Sequence, residues 1–90
     1  MSATLHLLNK SPEHPRFAAC LAALANGDKL VLIENAVIAL KNCQLVLPAT
    51  CVVSLADCQA RGINPERPET ALDYPALAAL TASHTRIISW

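Results

Sequence analysis

Lys29-Leu30-Val31-Leu32-Ile33-Glu34 is the stretch that decides the fold. Four apolar residues follow one another between a lysine and a glutamate, with no alternation of apolar and polar positions. A strand with one wet face alternates, whereas a strand covered on both faces does not. The run therefore reads as a central strand of a parallel sheet with helices above and below it. Upstream, Thr4–Leu8 is short and apolar, is closed by Asn9-Lys10-Ser11-Pro12, and reads as a first strand. Downstream, Thr50–Leu55 is rich in β-branched residues and reads as another strand. Thr70–Leu72 is a weak strand and Arg86–Ser89 a final one.

Helix signals fill the gaps. Ser11 suits an N-cap and Pro12 a first helical position. Pro15 also fits a first turn, and Asn26-Gly27 is a C-terminal stop. Inside this helix Phe17, Cys20, Leu21 and Leu24 fall at i, i+3, i+4 and i+7. Alanines fill the other positions, and no charge occurs from Phe17 to Ala25. A helix apolar on every side is buried on more than one side. In a chain of 90 residues the second partner is expected to be another chain. Asn35 is suited to a left-handed turn, and Ala36–Lys41 and Ala56–Arg61 are short helices, the latter stopped by Gly62. Gln44-Leu45-Val46-Leu47 is either a strand or a buried loop. Ile63–Glu69 reads as an exposed loop. Asp73-Tyr74-Pro75 opens a last, nearly charge-free helix through Ala82. The alternation predicts one α/β domain over residues 1–90. It has three layers, a mainly parallel sheet of four to five strands with helices on both faces, and right-handed crossovers.

Composition narrows the function. Only three residues are aromatic, so the core is aliphatic. Net charge is zero, which removes the electrostatic case for direct nucleic-acid binding. No apolar run approaches the ~20 residues that span a bilayer. No basic segment leads into a hydrophobic one at the start, so a cytoplasmic chain with no membrane association is expected. In that compartment Cys20, Cys43, Cys51 and Cys58 are expected to be thiols. Their spacing fits no zinc pattern and includes no Cys-x-x-Cys, so neither a metal nor another cofactor is expected.

Two thiols carry candidate chemistry. Cys20 is read in two ways: as a thiolate helped by His14 and Arg16, or as a small apolar residue on the Phe17 stripe. Cys58 sits early in a helix that follows a strand, where a helix N-terminus lowers a thiol's pKa, although Asp57 opposes the thiolate. Cys51 is expected in the core and Cys43 in a loop. His6 reads as a core histidine and His84 as a helix-end residue. Lys10 and Arg61 stand at a strand end and a helix end, where they are either solvated or placed to attract an anionic persulfide or a partner's carboxylate. Trp90 is expected to dock into the domain or into a partner.

These residues resemble the TusB/DsrH family of small sulfur-relay proteins. The likeness runs from Leu5-His6 and Asn9-Lys10-Ser11-Pro12 through Gly27-Asp28 and Leu30-Val31-Leu32-Ile33-Glu34. It continues in Ala60-Arg61-Gly62 and Asp73-Tyr74 and ends with Leu80-Thr81, His84 and Ser89-Trp90. The resemblance implies a DsrE-like fold and a heterohexamer with two related small subunits. It implies transfer of persulfide sulfur from an upstream to a downstream carrier, with the main carrying cysteine on a sister subunit. The sulfur would end in 2-thiouridine at the tRNA wobble position or, in the DsrH branch, feed dissimilatory sulfur oxidation. Cys20 falls where many members have a cysteine, and Cys58 does not. Two departures stand out. The family often reads acidic-Asp-Gly where this chain has Glu34-Asn35-Ala36, and the segment before Thr50 looks short.

The expected function is a subunit of such a relay, not catalytic alone, with tRNA thiolation ahead of sulfur oxidation and with self-association when isolated. The rivals are an interaction subunit with inert cysteines and a stand-alone thiol enzyme.

Overall fold

The computed structural model describes residues 3–42, 44–48 and 50–90. Among them the strands are β1 (Thr4–Leu8), β2 (Lys29–Leu32), β3 (Val52–Ser54), β4 (Ala71–Leu72) and β5 (Arg86–Ser89). They form one sheet in the order β4-β3-β2-β1-β5, with every pair parallel. β2 is central, as its unbroken apolar run requires. The helices are α1 (Pro15–Ala23), α2 (Leu55–Ala60) and α3 (Tyr74–Ala82), with 3₁₀-helices at Glu34–Lys41 and Pro68–Thr70.

The register aligns His6 with Leu30 and Leu8 with Leu32, so these four side chains share one face, while Leu5, Leu7 and Val31 share the other. β1 through β4 advance in one direction. Their connections, α1, the first 3₁₀-helix and α2, deliver Phe17, Cys20, Val37 and Cys58 to the Leu8–Leu30–Leu32 face. The chain then returns to the free side of β1, and a right-handed crossover places α3 on the opposite face. There α3 faces Leu7, Val31 and Ile33. The three-layer α/β reading holds, but the layers are unequal. The α1 face carries a closed core, whereas no α3 residue is fully buried.

Several boundaries differ from the sequence reading, each for a local reason. α1 starts at Pro15, and its N-cap is His14, whose Nδ1 accepts from the Arg16 N–H at 3.1 Å. Ser11 is not the cap. A residue before proline is pushed to extended backbone, which excludes His14 from the helix. α1 ends at Ala23, not at Asn26-Gly27, because the Asp28 carboxylate captures the Ala25 N–H at 3.0 Å and holds the chain in a turn. The left-handed residue after β2 is Glu34 (φ 51°), not Asn35.

Gln44–Leu47 forms no strand; Leu45 and Leu47 lean on the core while Val46 is exposed. β3 begins at Val52, so Cys51 precedes the strand, and Leu55 already belongs to α2. Ile63, read as loop, is buried in the core. The bounds of β1, β5 and the end of α3 agree with the sequence reading, and Asp73 caps α3 by accepting from the Ala76 N–H at 3.0 Å. Cys43 lies outside the described residues.

Candidate functional site

A strand that ends beside its neighbour's end makes a crevice where α/β proteins place their sites. Here β1 and β5 end together, and a hydrogen-bonded chain runs along them from that end back to the opposite, amino-terminal edge of the sheet, where Thr4, Asp28 and the start of β5 lie. Asp28, in the turn before β2, is its hub. Its carboxylate accepts from the Thr4 N–H at 3.0 Å, the Ala25 N–H at 3.0 Å and His6 Nε2 at 2.9 Å. His6 is buried in β1, and its Nδ1 accepts from the Trp90 indole N–H at 3.0 Å.

An indole nitrogen only donates, so His6 Nδ1 must hold a free lone pair and the ring proton sits on Nε2, facing Asp28. This fixes the tautomer by elimination. The Trp90 ring also stacks on the imidazole, with centroids 6.1 Å apart and planes inclined by 21°. The two main-chain donors, Thr4 first, together with the His6 bond, lower the Asp28 carboxyl to about 2.

Lys10 closes the other end of this chain. Its Nζ donates to the Trp90 main-chain oxygen at 2.9 Å and to Asn9 Oδ1. The Trp90 N–H donates to the Leu7 carbonyl at 2.8 Å. Trp90 therefore docks into its own domain by ring, N–H and carbonyl together. A cleft of about 580 Å³ opens beside this array, between the α1–β2 turn and β5. Both nitrogens of His6 and both oxygens of Asp28 are already bonded, so the array holds structure and has no free base to offer.

A second cluster lies past the ends of β2 and β3. Ser54 caps α2, and Asp57 Oδ2 accepts from the Glu34 N–H at 2.8 Å. Arg61 donates to Asn35 Oδ1 at 3.0 Å and to the Asp57 carbonyl at 3.2 Å. The left-handed Glu34 is held by these bonds. Lys10 and Arg61, the two cations singled out by position, are both occupied by groups of this chain.

The structure brings neither Cys20 nor Cys58 to a surface. Cys20 and Cys58 are each 0% exposed and lie in the same apolar core. Burial pushes the Cys20 thiol up to about 11. The Cys58 thiol is also raised, by burial first and then by Asp57, with Arg61 opposing. The expected lowering at a helix N-terminus is thus outweighed by desolvation: Cys58 is the fourth residue of a six-residue helix and points inward. Cys51 is half-buried beside a hollow of about 350 Å³, and burial pushes its thiol up to about 12. These cysteines are free. His84 Nδ1 lies 3.0 Å from the Leu80 carbonyl, a helix-end contact.

The open surface is apolar instead. Ala18, Ala19, Ala22 and Ala23 are exposed on α1. Tyr74 is 83% exposed on α3, and Ile87 and Ile88 are exposed on β5. A groove of about 280 Å³ runs between α3 and the sheet. Among the described residues no helix is long and apolar enough to cross a membrane.

The family model described as DsrH like protein matches residues 10–87, from Lys10 to the middle of β5. The chain belongs to the DsrH-like family. Two curated proteins extend the likeness over nearly its whole length. It is 31% identical to protein TusB of Escherichia fergusonii and 32% identical to protein TusB of Pectobacterium parmentieri. Each alignment covers 96% of this chain and 99% of the relative. For a DsrH-like chain the sequence reading missed Asp28 as a hub. Its signal was available: an acid straight after Gly27, ahead of a strand that pairs with His6.

Proposed function

We propose that the chain is a subunit of a cytoplasmic sulfur-relay complex that passes persulfide sulfur between proteins for 2-thiolation of the tRNA wobble uridine. The observation that carries the reading is the end-to-end similarity to two TusB proteins. The partners are two related small subunits in a heterohexamer, with sulfur carriers upstream and downstream. In each transfer an acceptor thiolate attacks the outer sulfur of a persulfide, the S–S bond breaks, and the donor leaves as a thiolate. The outer sulfur moves with no net oxidation or reduction.

Within that complex this chain assembles the relay, and a sister subunit's thiol carries the sulfur. Burial of Cys20 and Cys58, together with the exposed apolar surfaces of α1 and α3, supports this division of labour. Cys20 remains the first thiol of this chain to test as a carrier and Cys58 the second.

The test is a gene deletion with tRNA analysed by mass spectrometry. Loss of wobble 2-thiouridine, restored by the wild-type chain and by Cys20→Ala, is the expected result. Unchanged 2-thiouridine refutes the reading, and failure of Cys20→Ala alone assigns the carrier to this chain. A second reading, dissimilatory sulfur oxidation, is favoured by the DsrH-like family model. Normal tRNA with impaired sulfur oxidation is its signature.

A further inference from the structure

The two edges of the sheet are unlike. β4 is two residues long and follows a 3₁₀-helix that contains Pro68, so it offers little to a passing strand. β5 is four residues long, all four are exposed, and no proline or acidic residue interrupts it. An open edge of this kind is a template for pairing.

The direction of its free groups is known. The Trp90 N–H donates to the Leu7 carbonyl, so Trp90 faces β1. Main-chain groups alternate along a strand. Ile88 and Arg86 therefore also face β1, and Ile87 and Ser89 turn their N–H and C=O groups outward. Side chains alternate as well, which puts Arg86, Ile88 and Trp90 on one face and Ile87 and Ser89 on the other.

We infer that β5 pairs antiparallel with β5 of a second copy of this chain, with Ile88 opposite Ile88 on a two-fold axis. This inference goes beyond the relay reading and does not depend on it. Antiparallel pairing about a two-fold that matches outward-facing residues of the strand can centre on Ile87, Ile88 or Ser89. Centring on Ser89 pairs that residue with its own copy and forms two main-chain hydrogen bonds within the strand. Centring on Ile88 sets Ile87 opposite Ser89 twice, and both are outward-facing, so four main-chain hydrogen bonds form. Centring on Ile87 forms two within the strand, because the next pair would need Thr85, which lies in a bend before β5.

Side chains favour the same choice. With Ile88 central, Arg86 stands opposite Trp90 of the other copy, on the same face, at both ends of the ladder. Arg86 is exposed and has no ion-pair partner among the described residues. Trp90 is half-buried on His6 and keeps part of its ring open. A guanidinium over an indole is a favourable pair. The Ile87 register sets Arg86 against Ile88 and leaves Trp90 unmatched, and the Ser89 register sets Trp90 against Ile88 and takes Arg86 away from it. The edge is thus self-complementary, as a two-fold contact must be.

The test uses the full chain in sedimentation equilibrium and in disulfide trapping with copper-phenanthroline, the wild type serving as control for the native thiols. Opposite residues at a non-hydrogen-bonded pair lie about 4.5 Å apart, within disulfide reach. Ile88→Cys is therefore expected to give a covalent dimer. Ile87→Cys is not, since its counterpart lies diagonally about 7–8 Å away. Ile88→Lys places like charges opposite each other and is expected to raise the dimer dissociation constant at least about tenfold, with unchanged circular dichroism. A monomeric wild type, trapping through Ile87→Cys instead, or a dimer untouched by Ile88→Lys overturns the inference. So does a β5 edge that pairs only with a sister subunit.

Discussion

Serine is the usual replacement when a cysteine is tested as a sulfur carrier, and at Cys20 it should mislead. The Cys20 sulfur is 0% exposed in a cluster with Leu8, Phe17, Leu30 and Leu32. Cys20→Ala removes the sulfur and leaves a small void, at about 1–1.5 kcal/mol from the lost burial and packing. Cys20→Ser loses the same apolar burial and puts a hydroxyl among these apolar side chains. An unsatisfied buried hydroxyl costs about 1–3 kcal/mol. In a helix the serine can bond back to the carbonyl of Arg16, four residues earlier, which recovers part of that.

The serine variant is therefore expected about 1 kcal/mol below the alanine variant and about 2–3 kcal/mol below wild type. For a domain of this size each 1 kcal/mol moves Tm by roughly 4–8 °C. The assay is urea unfolding followed by far-ultraviolet circular dichroism and by the fluorescence of Trp90, the single tryptophan. A serine variant as stable as the alanine variant, or more so, would mean that Cys20 has polar company or solvent. The burial argument, and the structural role it supports, would then fall.

Three further outcomes follow from the polar arrays. The Asp28 carboxyl is lowered from its ordinary 3.8 to about 2, so its stabilising contribution is complete above about pH 4 and disappears as pH falls toward 2. The urea midpoint of wild type should drop across that window, and Asp28→Asn should flatten the drop; an equally steep drop in the variant contradicts the assignment. His6→Leu removes the acceptor of the Trp90 indole, so Trp90 emission should shift to the red and acrylamide quenching should rise while helical dichroism persists. Unchanged emission would place the indole contact elsewhere. Glu34 holds φ 51°, which strains a residue with a side chain by about 1–2 kcal/mol. Glu34→Gly is expected to raise the urea midpoint, and a fall would show that the Glu34 side chain contributes more than the strain removes.

The layered fold was legible because its signals are local runs, caps and turn residues, which survive without distant neighbours. The β2 run, the capped start of α3 and the bounds of β1 and β5 are of this kind. What was not legible depends on groups far apart in sequence. Asp28 ends α1 early by capturing Ala25, but it does so while also holding Thr4 and His6, 24 and 22 residues away. Glu34 takes the left-handed position that Asn35 suits better, since Asp57, 23 residues later, binds the Glu34 N–H. Cys58 has the local setting of a reactive thiol, and only the packing of α2 against the sheet turns it inward.

These polar arrays and the apolar surfaces bear on each other. A chain that leaves α3 without a fully buried residue and β5 open on both faces needs some other means of fixing its sheet. The His6–Asp28–Trp90 array does this for β1 and β5, since Trp90 reaches His6 across 84 residues of sequence and His6 in turn reaches Asp28 in the turn before β2. The edge is therefore presented in a fixed register before any partner arrives. A preorganised edge loses less conformational freedom on pairing. Trp90 thus works inward and outward together: its indole locks the edge in place, and in the inferred pairing its ring meets Arg86 of the second copy.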